Sequence, residues 1–227
     1  MSADVARDQL LDRLRADGTL RSPEIDRALR TIPRQRFVHD DQRQDAWADR
    51  ALPVKYDDGV AISSISQPTM IVMMLELAEL APGQRVLEIG TGTGYNAALL
   101  AAIVGPEGLV VTVELEADLA SAAAARLARL ELSNVHVITG DGAAGHAALA
   151  PYDRIVVTAG ARTVDDRWVA QLRERGRLVV PIVDEDGVGL CRCLVKRDGE
   201  LETRAEIPCG FLCLRTPGSS PGADRGT

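Results

Sequence analysis

Short apolar segments alternate with helix-forming segments through most of the chain after Arg85. The apolar segments VLEIG, LVVTVE, VHVI, YDRIVVTA and RLVVPIV are predicted strands, and NAALLAAIV, ADLASAAAARLARL and DDRWVAQLRE are predicted helices. Repeated strand and helix alternation with short connections requires a parallel sheet with right-handed crossovers. We therefore predict an α/β fold with a doubly wound, mostly parallel sheet. The later segments GLCRCLVK and LETRAEI are expected to form an antiparallel pair at the C-terminal edge.

The first 82 residues have a different, mainly helical pattern. Leu10, Leu11 and Leu14 follow helical spacing, and Ser22-Pro23 supplies a helix N-cap followed by proline at the first helical position. Residues 51–66 are expected to form a loop or a distorted hairpin. We predict an N-terminal helical and substrate-loop region in residues 1–82, a ligand-binding core in 83–215 and a disordered tail in 216–227.

The composition disfavours two classes of function. The chain of 227 residues has 33 Asp and Glu against 26 Lys and Arg, a net charge of −7, and only 3% aromatic residues. Proteins that grip nucleic acid usually carry a basic surface, so we expect no nucleic-acid partner. No apolar segment has the length of a membrane span or of a signal peptide. We expect a cytoplasmic protein with no membrane partner, and the sequence indicates no oligomeric state.

Four cysteines lie in the last fifth of the chain, at positions 191, 193, 209 and 213. Their spacing matches no standard zinc ribbon, and Cys191 and Cys193 alternate along a predicted strand, which would put both on one face. We therefore predict reduced thiols and no metal site.

A glycine-rich turn joins a strand to a helix in the segment VLEIGTGTGYNAALL, residues 86–100. Glycines let the backbone approach a ligand closely, and the helix N-terminus offers free N–H groups. A dinucleotide fingerprint needs a third glycine where this chain has Tyr95, and the Gly-Lys-Ser/Thr of a Walker loop is absent. The turn is therefore expected to bind a nucleoside without a phosphate clamp.

Three acidic residues accompany this turn. Glu88 lies two residues before Gly90, Glu114 ends the second predicted strand, and Asp141 follows the third. The carboxyl ends of parallel strands meet at one edge of the sheet, so these acids are expected to surround one ligand. Acids without a phosphate clamp suit a positively charged nucleoside such as S-adenosyl-L-methionine. The alternative is that the acids are solvated strand ends and the glycines a simple tight turn.

The chain resembles a known family. The segments EIGTGTGYNAALLA, the later GDG and PYDRIVVTAGA are similar to the class I methyltransferase core of the protein-L-isoaspartate O-methyltransferases. QLLDRLRADGTL, RTIPRQRFV, AWADRALPV and ISQPTMIVMMLEL resemble the N-terminal region of that family in the same order, so the likeness covers about residues 8–183. It implies a Rossmann-like enzyme that uses S-adenosyl-L-methionine to methylate an aspartyl or isoaspartyl carboxylate of a protein or peptide.

Motif and resemblance together predict the cofactor-binding residues Glu88, Gly90, Thr91, Gly92, Thr93, Gly94, Tyr95, Glu114, Leu115, Asp141 and Gly142. The resemblance also implies that Ser66, in the Ser-Gln-Pro motif, lies over the methyl acceptor. Ser63 and Ser64 are further candidate catalytic residues. Local capping before the helix that begins at Pro68 is the alternative role for these serines.

One segment departs from the family pattern. Where the family has a short Gly-x-Gly-Gln-Thr-Ile turn, this chain has the longer VKYDDGVAISSI, with Ser63-Ser64 in place of Gln-Thr. The change resembles methyltransferases that modify ribosomally made peptides, in which the methylated aspartate of a cyclised precursor closes to an aspartimide.

The leading hypothesis is therefore a carboxyl O-methyltransferase whose ester product closes to a succinimide. The altered segment favours tailoring of a dedicated peptide, and general repair of isoaspartyl proteins is the alternative. A non-catalytic S-adenosyl-L-methionine-binding protein, or a methyltransferase for RNA or small molecules, would have the same fold. A carboxylate with a pKa of about 4 is already ionised at neutral pH, so the reaction needs no strong base. The three histidines are scattered along the sequence and form no evident catalytic group, which agrees with a reaction that needs no strong base.

Overall fold

The computed structural model describes residues 3–218, so residues 219–227 of the predicted disordered tail lie outside the described range. The helices are α1 (Ala3–Ala16), α2 (Pro23–Thr31), α3 (Pro68–Ala78), α4 (Tyr95–Val104), α5 (Ala117–Ala128) and α6 (Asp166–Gln171). The strands are β1 (Leu52–Asp57), β2 (Val60–Ile65), β3 (Arg85–Ile89), β4 (Leu109–Glu114), β5 (Val135–Thr139), β6 (Tyr152–Val157), β7 (Leu172–Val183), β8 (Val188–Arg197) and β9 (Glu200–Gly210).

A seven-stranded sheet has the order β5-β4-β3-β6-β7-β8-β9. Strands β5, β4, β3, β6 and β7 are parallel, whereas β8 and β9 are antiparallel to their neighbours. Both sequence predictions for the sheet are thereby confirmed. The chain leaves β3 toward β4 and later returns to the other side of β3 as β6. In a doubly wound sheet, ligands bind at the carboxyl ends of strands where the order reverses in this way.

Each face of the sheet has its own hydrophobic cluster. Val86 of β3 belongs to a cluster with α1 to α4, whereas Leu87 and Ile89 belong to a second cluster with Trp168 of α6. Helix α4 is apolar on nearly all sides because the sheet covers one side and α2 packs on another. The N-terminal helices thus share a core with the sheet. The division of the chain at residues 82 and 83 stays a prediction.

The helix predicted for DDRWVAQLRE is shorter in the structure. It ends at Gln171, and β7 begins at Leu172, which pairs with Tyr152 of β6. Lys196 of β8 donates from Nζ to the carbonyl oxygens of Val169 and Leu172, at 2.7 and 3.0 Å. Strand pairing and this long-range contact override the helical periodicity of the segment.

Residues 52–65 form the hairpin β1–β2, which is the distorted hairpin expected from the sequence. Its pairing contains register shifts between Pro53 and Tyr56. At the turn, Asp58 and Gly59 have φ of 45° and 77°, as a tight two-residue hairpin turn requires. Leu52 and Ile65 anchor the base of the hairpin in the core. The segment therefore has a defined position next to the main sheet.

Within residues 3–218, no helix is long and apolar enough to cross a membrane. The same range contains no cluster of three or more His, Cys, Asp or Glu side chains that could hold a metal ion. All four cysteines are free, and Cys191 and Cys193 are both fully buried on β8.

Candidate active site

A cavity of about 500 Å³ lies at the carboxyl ends of β3, β4 and β6, between the β1–β2 hairpin and residues 210–215. Most predicted site residues line it: Ser63, Ser64, Ser66, Gly90, Thr91, Gly92, Thr93, Tyr95, Glu114, Leu115 and Gly142. The structure thus brings the serine segment and the glycine-rich turn, which are more than twenty residues apart in sequence, to one cavity. Glu88, Gly94 and Asp141 are outside its lining.

The glycine-rich turn has a left-handed backbone at Gly90, Gly92 and Gly94, with φ of 97°, 52° and 87°. Gly90 also lacks space for a side chain, because a Cβ would lie 2.7 Å from Thr158 Oγ1. The Thr158 hydroxyl donates to the carbonyl oxygen of Gly90 at 2.6 Å. Gly94 is the N-cap of α4. Glycine is therefore required here both by conformation and by the close approach of β6.

Glu114 holds the turn from the neighbouring strand. Its Oε2 accepts a hydrogen bond from the Gly92 N–H at 2.7 Å, and its Oε1 accepts one from the Glu116 N–H at 3.1 Å. The residue is 8% exposed and lines the cavity. One carboxylate therefore fixes the backbone of the turn and faces the space where a ligand would bind.

Glu88 is fully buried beneath the turn and does not line the cavity, unlike Glu114, although the three acids were expected to surround one ligand. It lies on the face of β3 that carries Val86, toward α4. Its carboxylate accepts hydrogen bonds from Asn96 Nδ2 at 2.8 Å and from Thr112 Oγ1 at 2.5 Å. Burial raises the pKa of Glu88 to about 7, although both hydrogen bonds favour the ionised form. Glu88 reaches the cavity through Asn96, which lines it.

Asp141 supports the cavity wall at Gly142 but does not line the cavity itself. Its Oδ1 accepts a hydrogen bond from the Ala143 N–H at 2.9 Å and caps the short 3-10 helix Gly142–Ala144. Gly142 lines the cavity, and its carbonyl oxygen accepts a hydrogen bond from Trp168 Nε1 at 2.9 Å. Trp168 is 1% exposed and belongs to the core beside the cavity.

The three serines are on the opposite wall from the glycine-rich turn. Ser63 Oγ lies 3.5 Å from the position that a Cβ on Gly92 would take. The N-cap of α3 is Gln67, and no side chain caps that helix. Within residues 3–218, the hydroxyls of Ser63, Ser64 and Ser66 form no hydrogen bond. These hydroxyls are therefore available to a ligand in the cavity, and capping of α3 is not their role.

A buried arginine that the sequence reasoning missed supports the wall that carries Ser63, Ser64 and Ser66. Arg34 is fully buried, and its side chain donates to the carbonyl oxygens of Ala46 at 2.6 Å and Ser66 at 2.7 Å. Its guanidinium lies over the ring of Tyr95, with 5.0 Å between the guanidinium carbon and the ring centroid. Burial lowers the pKa of Arg34 to about 10. Arg34 thus connects the serine segment to the first residue of α4.

Two segments that flank the cavity meet at Glu116. Lys55 of β1 contacts Glu116 Oε2 at 2.6 Å and Asp118 Oδ1 at 2.6 Å, and Arg215 contacts Glu116 Oε1 at 2.6 Å. The hydrogen bonds from Lys55 and then Arg215 lower the pKa of Glu116. The hairpin and the segment at residues 210–215 are therefore both tied to the beginning of α5.

Several lining residues were absent from the sequence prediction: Asn96, Thr158, Asp186 and the segment at residues 210–215. Asn96 had a sequence signal, because it directly follows Tyr95 in the glycine-rich motif. For Arg34 and residues 210–215, no local pattern points to the cavity, since their partners are distant in sequence.

Comparison with known proteins decides the family. The model of the family described as protein-L-isoaspartate(D-aspartate) O-methyltransferase matches residues 5–217. The chain belongs to this family. It is 38% identical over 206 residues to the protein-L-isoaspartate O-methyltransferase of Ignicoccus hospitalis, covering 91% of this chain and 95% of that relative. It is 40% identical over 217 residues to that of Hyperthermus butylicus, covering 92% and 88%.

Solved structures agree with this assignment. One protein-L-isoaspartate O-methyltransferase has 35% sequence identity and a TM-score of 0.82, over 91% of this chain and 65% of that longer chain. A Plasmodium falciparum structure, described as a protein-L-isoaspartate O-methyltransferase in complex with S-adenosyl-L-homocysteine, has a TM-score of 0.77 over 91% of this chain and 97% of its own. At 21% identity, that second likeness shows the fold alone.

Membership of this family confirms the predicted enzyme class, a protein carboxyl O-methyltransferase that uses S-adenosyl-L-methionine. The cavity fits this cofactor. Its lining includes the acids Glu114 and Asp186, whereas its basic residue Arg215 is paired with Glu116. A lining with this charge balance suits a positively charged sulfonium and, as far as the described part of the chain forms it, offers no unpaired cation to a phosphate.

Proposed function

We propose that this enzyme methylates the free carboxylate of an isoaspartyl or aspartyl residue held between the serine segment and the glycine-rich turn. The proposal rests on one observation: Ser63, Ser64 and Ser66 line the same cavity as the glycine-rich turn and Glu114. Their hydroxyls have no partner within the described part of the chain, so they are free to bind an acceptor.

The cofactor wall is assigned to the residues predicted from the sequence. When bound, S-adenosyl-L-methionine supplies a methyl group on a positively charged sulfur. Glu114 accepts hydrogen bonds on the cavity edge, and the backbone of Gly90 to Gly94 allows close approach of the ligand. Glu88 acts through Asn96, whose amide it holds. Gly142 and Leu115 complete the wall, with Asp141 holding the 3-10 turn beside them.

The wall that carries Ser63, Ser64 and Ser66, which we call the acceptor wall, has to orient the acceptor carboxylate. A carboxylate with a pKa of about 4 is ionised at neutral pH, so no side chain has to remove a proton. We assign Ser66, Ser64 and Ser63 to donate hydrogen bonds to one carboxylate oxygen, which leaves the other oxygen free to face the methyl group. Such positioning can contribute about 7–11 kcal/mol to lowering the barrier.

The methyl ester then reacts further without the enzyme. The backbone nitrogen of the following residue attacks the ester carbonyl carbon and forms the new C–N bond. The C–O bond to the methoxy group breaks, and the amide proton leaves with it as methanol. The product is a five-membered succinimide. This step needs no group of the enzyme, which agrees with the absence of histidine and lysine from the cavity lining formed by residues 3–218.

For the natural substrate, we favour a dedicated, cyclised peptide over general isoaspartyl repair. The β1–β2 hairpin takes the place of the shorter turn typical of the family, and residues 61–65 of β2 line the cavity. A changed wall beside the acceptor serines is expected to change which acceptors fit. A cytoplasmic location, in which such a peptide would be made, stays a prediction.

The experiment is a mass-spectrometric methylation assay with S-adenosyl-L-methionine that carries a trideuterated methyl group. The acceptors are an isoaspartyl peptide, the same sequence with normal aspartate, and an aspartyl peptide cyclised through its side chains. Labelling of the cyclised peptide in preference to the isoaspartyl one supports peptide tailoring. Labelling of the isoaspartyl peptide alone rejects it in favour of repair. Labelling of none, with cofactor binding intact by calorimetry, would identify a non-catalytic binding protein.

A further inference from the structure

A second, more open cleft of about 850 Å³ lies on the outer side of the β1–β2 hairpin. It is formed by residues 36–43, by β1 and by the C-terminal part of α5. We name it the arginine cleft, after its lining residues Arg36, Arg43, Arg126 and Arg129, which are joined by His39 and Tyr56. Pro53 of β1 lines both this cleft and the catalytic cavity. The two concave surfaces are therefore neighbours across one strand.

Within residues 3–218, the arginines that line the cleft outnumber its acids. Arg36, Arg126 and Arg129 form no ion pair in that range, whereas Arg43 pairs with Asp40 at 2.8 Å. Asp41 is the remaining acid on its rim, and His39 is bonded to the carbonyl oxygen of Val54. Three free guanidinium groups thus face one acid, on a protein whose net charge is −7.

The surroundings of Arg126 favour the binding of an anion. Burial, and secondly repulsion from the nearby Arg129, lower the pKa of Arg126. Its NH1 donates to the carbonyl oxygen of Thr93 at 3.5 Å, which is a long hydrogen bond. Two arginines that repel each other, and that have no carboxylate paired with them within residues 3–218, gain most from a bound anion. Thr93 belongs to the glycine-rich turn, so the cleft is also in contact with the cofactor wall.

The cleft also offers an apolar contact. The ring of Tyr56, at the end of β1, is 59% exposed, which makes it one of the few large hydrophobic side chains on the surface. Arginines together with an exposed aromatic ring are typical of surfaces that bind peptides.

We propose that the arginine cleft binds acidic side chains of the substrate polypeptide, at positions that flank the methylated residue. The proposal rests on the proposed function, in which that residue occupies the catalytic cavity. Guanidinium groups bind carboxylates in bidentate geometry, and the cleft adjoins the catalytic cavity because Pro53 lines both. The protein substrates of the family favour an acidic peptide over nucleic acid as the anion.

The first test compares two isoaspartyl peptides that differ only in their flanks, one with three glutamates on each side and one with glutamines. For the wild-type enzyme, kcat/KM is expected to be about tenfold higher with glutamates, because two or three exposed ion pairs contribute modestly. In R36E/R129E this ratio should fall to one or below. The matched control is R27E, which reverses an exposed arginine of α2 outside the cleft. Equal kcat/KM in the wild type, or an unchanged ratio in R36E/R129E, overturns the proposal.

The second test measures binding without catalysis. A fluorescein-labelled glutamate-rich peptide that lacks isoaspartate should raise its anisotropy with the wild type and R27E but not with R36E/R129E. The binding should weaken severalfold between 0.1 and 0.5 M salt. Tighter binding of a single-stranded oligonucleotide than of the peptide would overturn the assignment to an acidic peptide. Anisotropy that responds to the peptide, combined with no methylation of any acceptor, would reject the proposed function but retain the cleft as a binding site.

Discussion

The two walls of the catalytic cavity are built in different ways. The cofactor wall is largely local, because residues 88–96 are continuous and Glu114 lies 22 residues from the Gly92 N–H that it holds. The acceptor wall depends on contacts across long stretches of sequence: Arg34 to Ser66 spans 32 residues, Lys55 to Glu116 spans 61 and Arg215 to Glu116 spans 99. Substitutions in the cofactor wall should therefore weaken cofactor binding. Substitutions in the acceptor wall should slow methyl transfer and leave cofactor affinity nearly unchanged.

The largest effect is expected from Glu114→Ala on the cofactor wall. The change removes the acceptor of the Gly92 and Glu116 N–H groups and a carboxylate from the cavity lining. Hydrogen bonds to charged groups contribute about 1.5–3 kcal/mol each, so the Kd for S-adenosyl-L-methionine should rise about 300-fold. Calorimetric titration measures it, and Glu107→Ala, at an exposed acid in the turn before β4, is the control. Cofactor affinity within threefold of the wild type would contradict the assignment of Glu114.

The second largest effect is expected on the pH dependence of stability, through Glu88, the buried acid beneath the cofactor wall. Burial raises the pKa of Glu88 from 4.5 to about 7, so the folded protein holds a proton in this range that the unfolded chain has lost. The contribution of Glu88 to stability therefore falls as pH rises from 4.5 to 7, by about 3 kcal/mol in total. Glu88→Gln removes the titrating carboxyl group and with it this pH-dependent loss of stability. The Tm of the variant relative to the wild type should rise by several degrees between pH 4.5 and 8.

Thermal unfolding across that pH range, monitored by circular dichroism, tests the prediction. Thr112→Val is a useful companion, because it removes the hydroxyl that donates to the Glu88 carboxylate but leaves the buried acid in place. A Tm difference between Glu88→Gln and the wild type that stays constant with pH would show that Glu88 does not titrate in this window.

On the acceptor wall, Arg34→Lys should reduce kcat about 30-fold. A lysine ammonium has no planar fork to reach the carbonyl oxygens of both Ala46 and Ser66 and to stack on Tyr95, so the serine segment loses its fixed position. Misplacement of reacting groups reduces the rate steeply. The Kd for S-adenosyl-L-methionine should change less than threefold. Steady-state kinetics and calorimetry separate the two, and Arg27→Lys, at an exposed arginine of α2 outside both the cavity and the arginine cleft, is the control.

A purely structural role for Arg34 predicts a different pattern. If Arg34→Lys lowered the midpoint of urea unfolding but left kcat unchanged for the folded fraction, Arg34 would stabilise the fold without positioning Ser66. A proportional loss of kcat and cofactor affinity would place its effect on Tyr95 rather than on the acceptor wall.

The same contrast explains which features could be predicted from the sequence. The parallel sheet, its antiparallel edge and the glycine-rich turn follow from periodicity and from residues close together in the chain. The side on which Glu88 lies depends on the face of β3 that α4 covers, and the motif alone does not contain that information. Arg34 was missed because its partners, Ala46 and Ser66, are defined only by the folded chain. Helix α6 ends early because Leu172 pairs with β6 and because Lys196 donates to the carbonyl oxygens of Val169 and Leu172, which are 27 and 24 residues away in sequence.

The smallest of these effects is expected from Ser66→Ala. Loss of one hydroxyl that orients a carboxylate oxygen should lower kcat about tenfold, or 1.4 kcal/mol, because Ser63 and Ser64 remain beside it. Cofactor affinity should stay the same, since Ser66 contributes its carbonyl oxygen, not its hydroxyl, to the contact with Arg34. Ser133→Ala, at an exposed serine before β5, is the control for both measurements. Equal losses of kcat and cofactor affinity would assign Ser66 to the cofactor wall, and cofactor binding and methyl transfer would then not be separable by substitutions in the two walls.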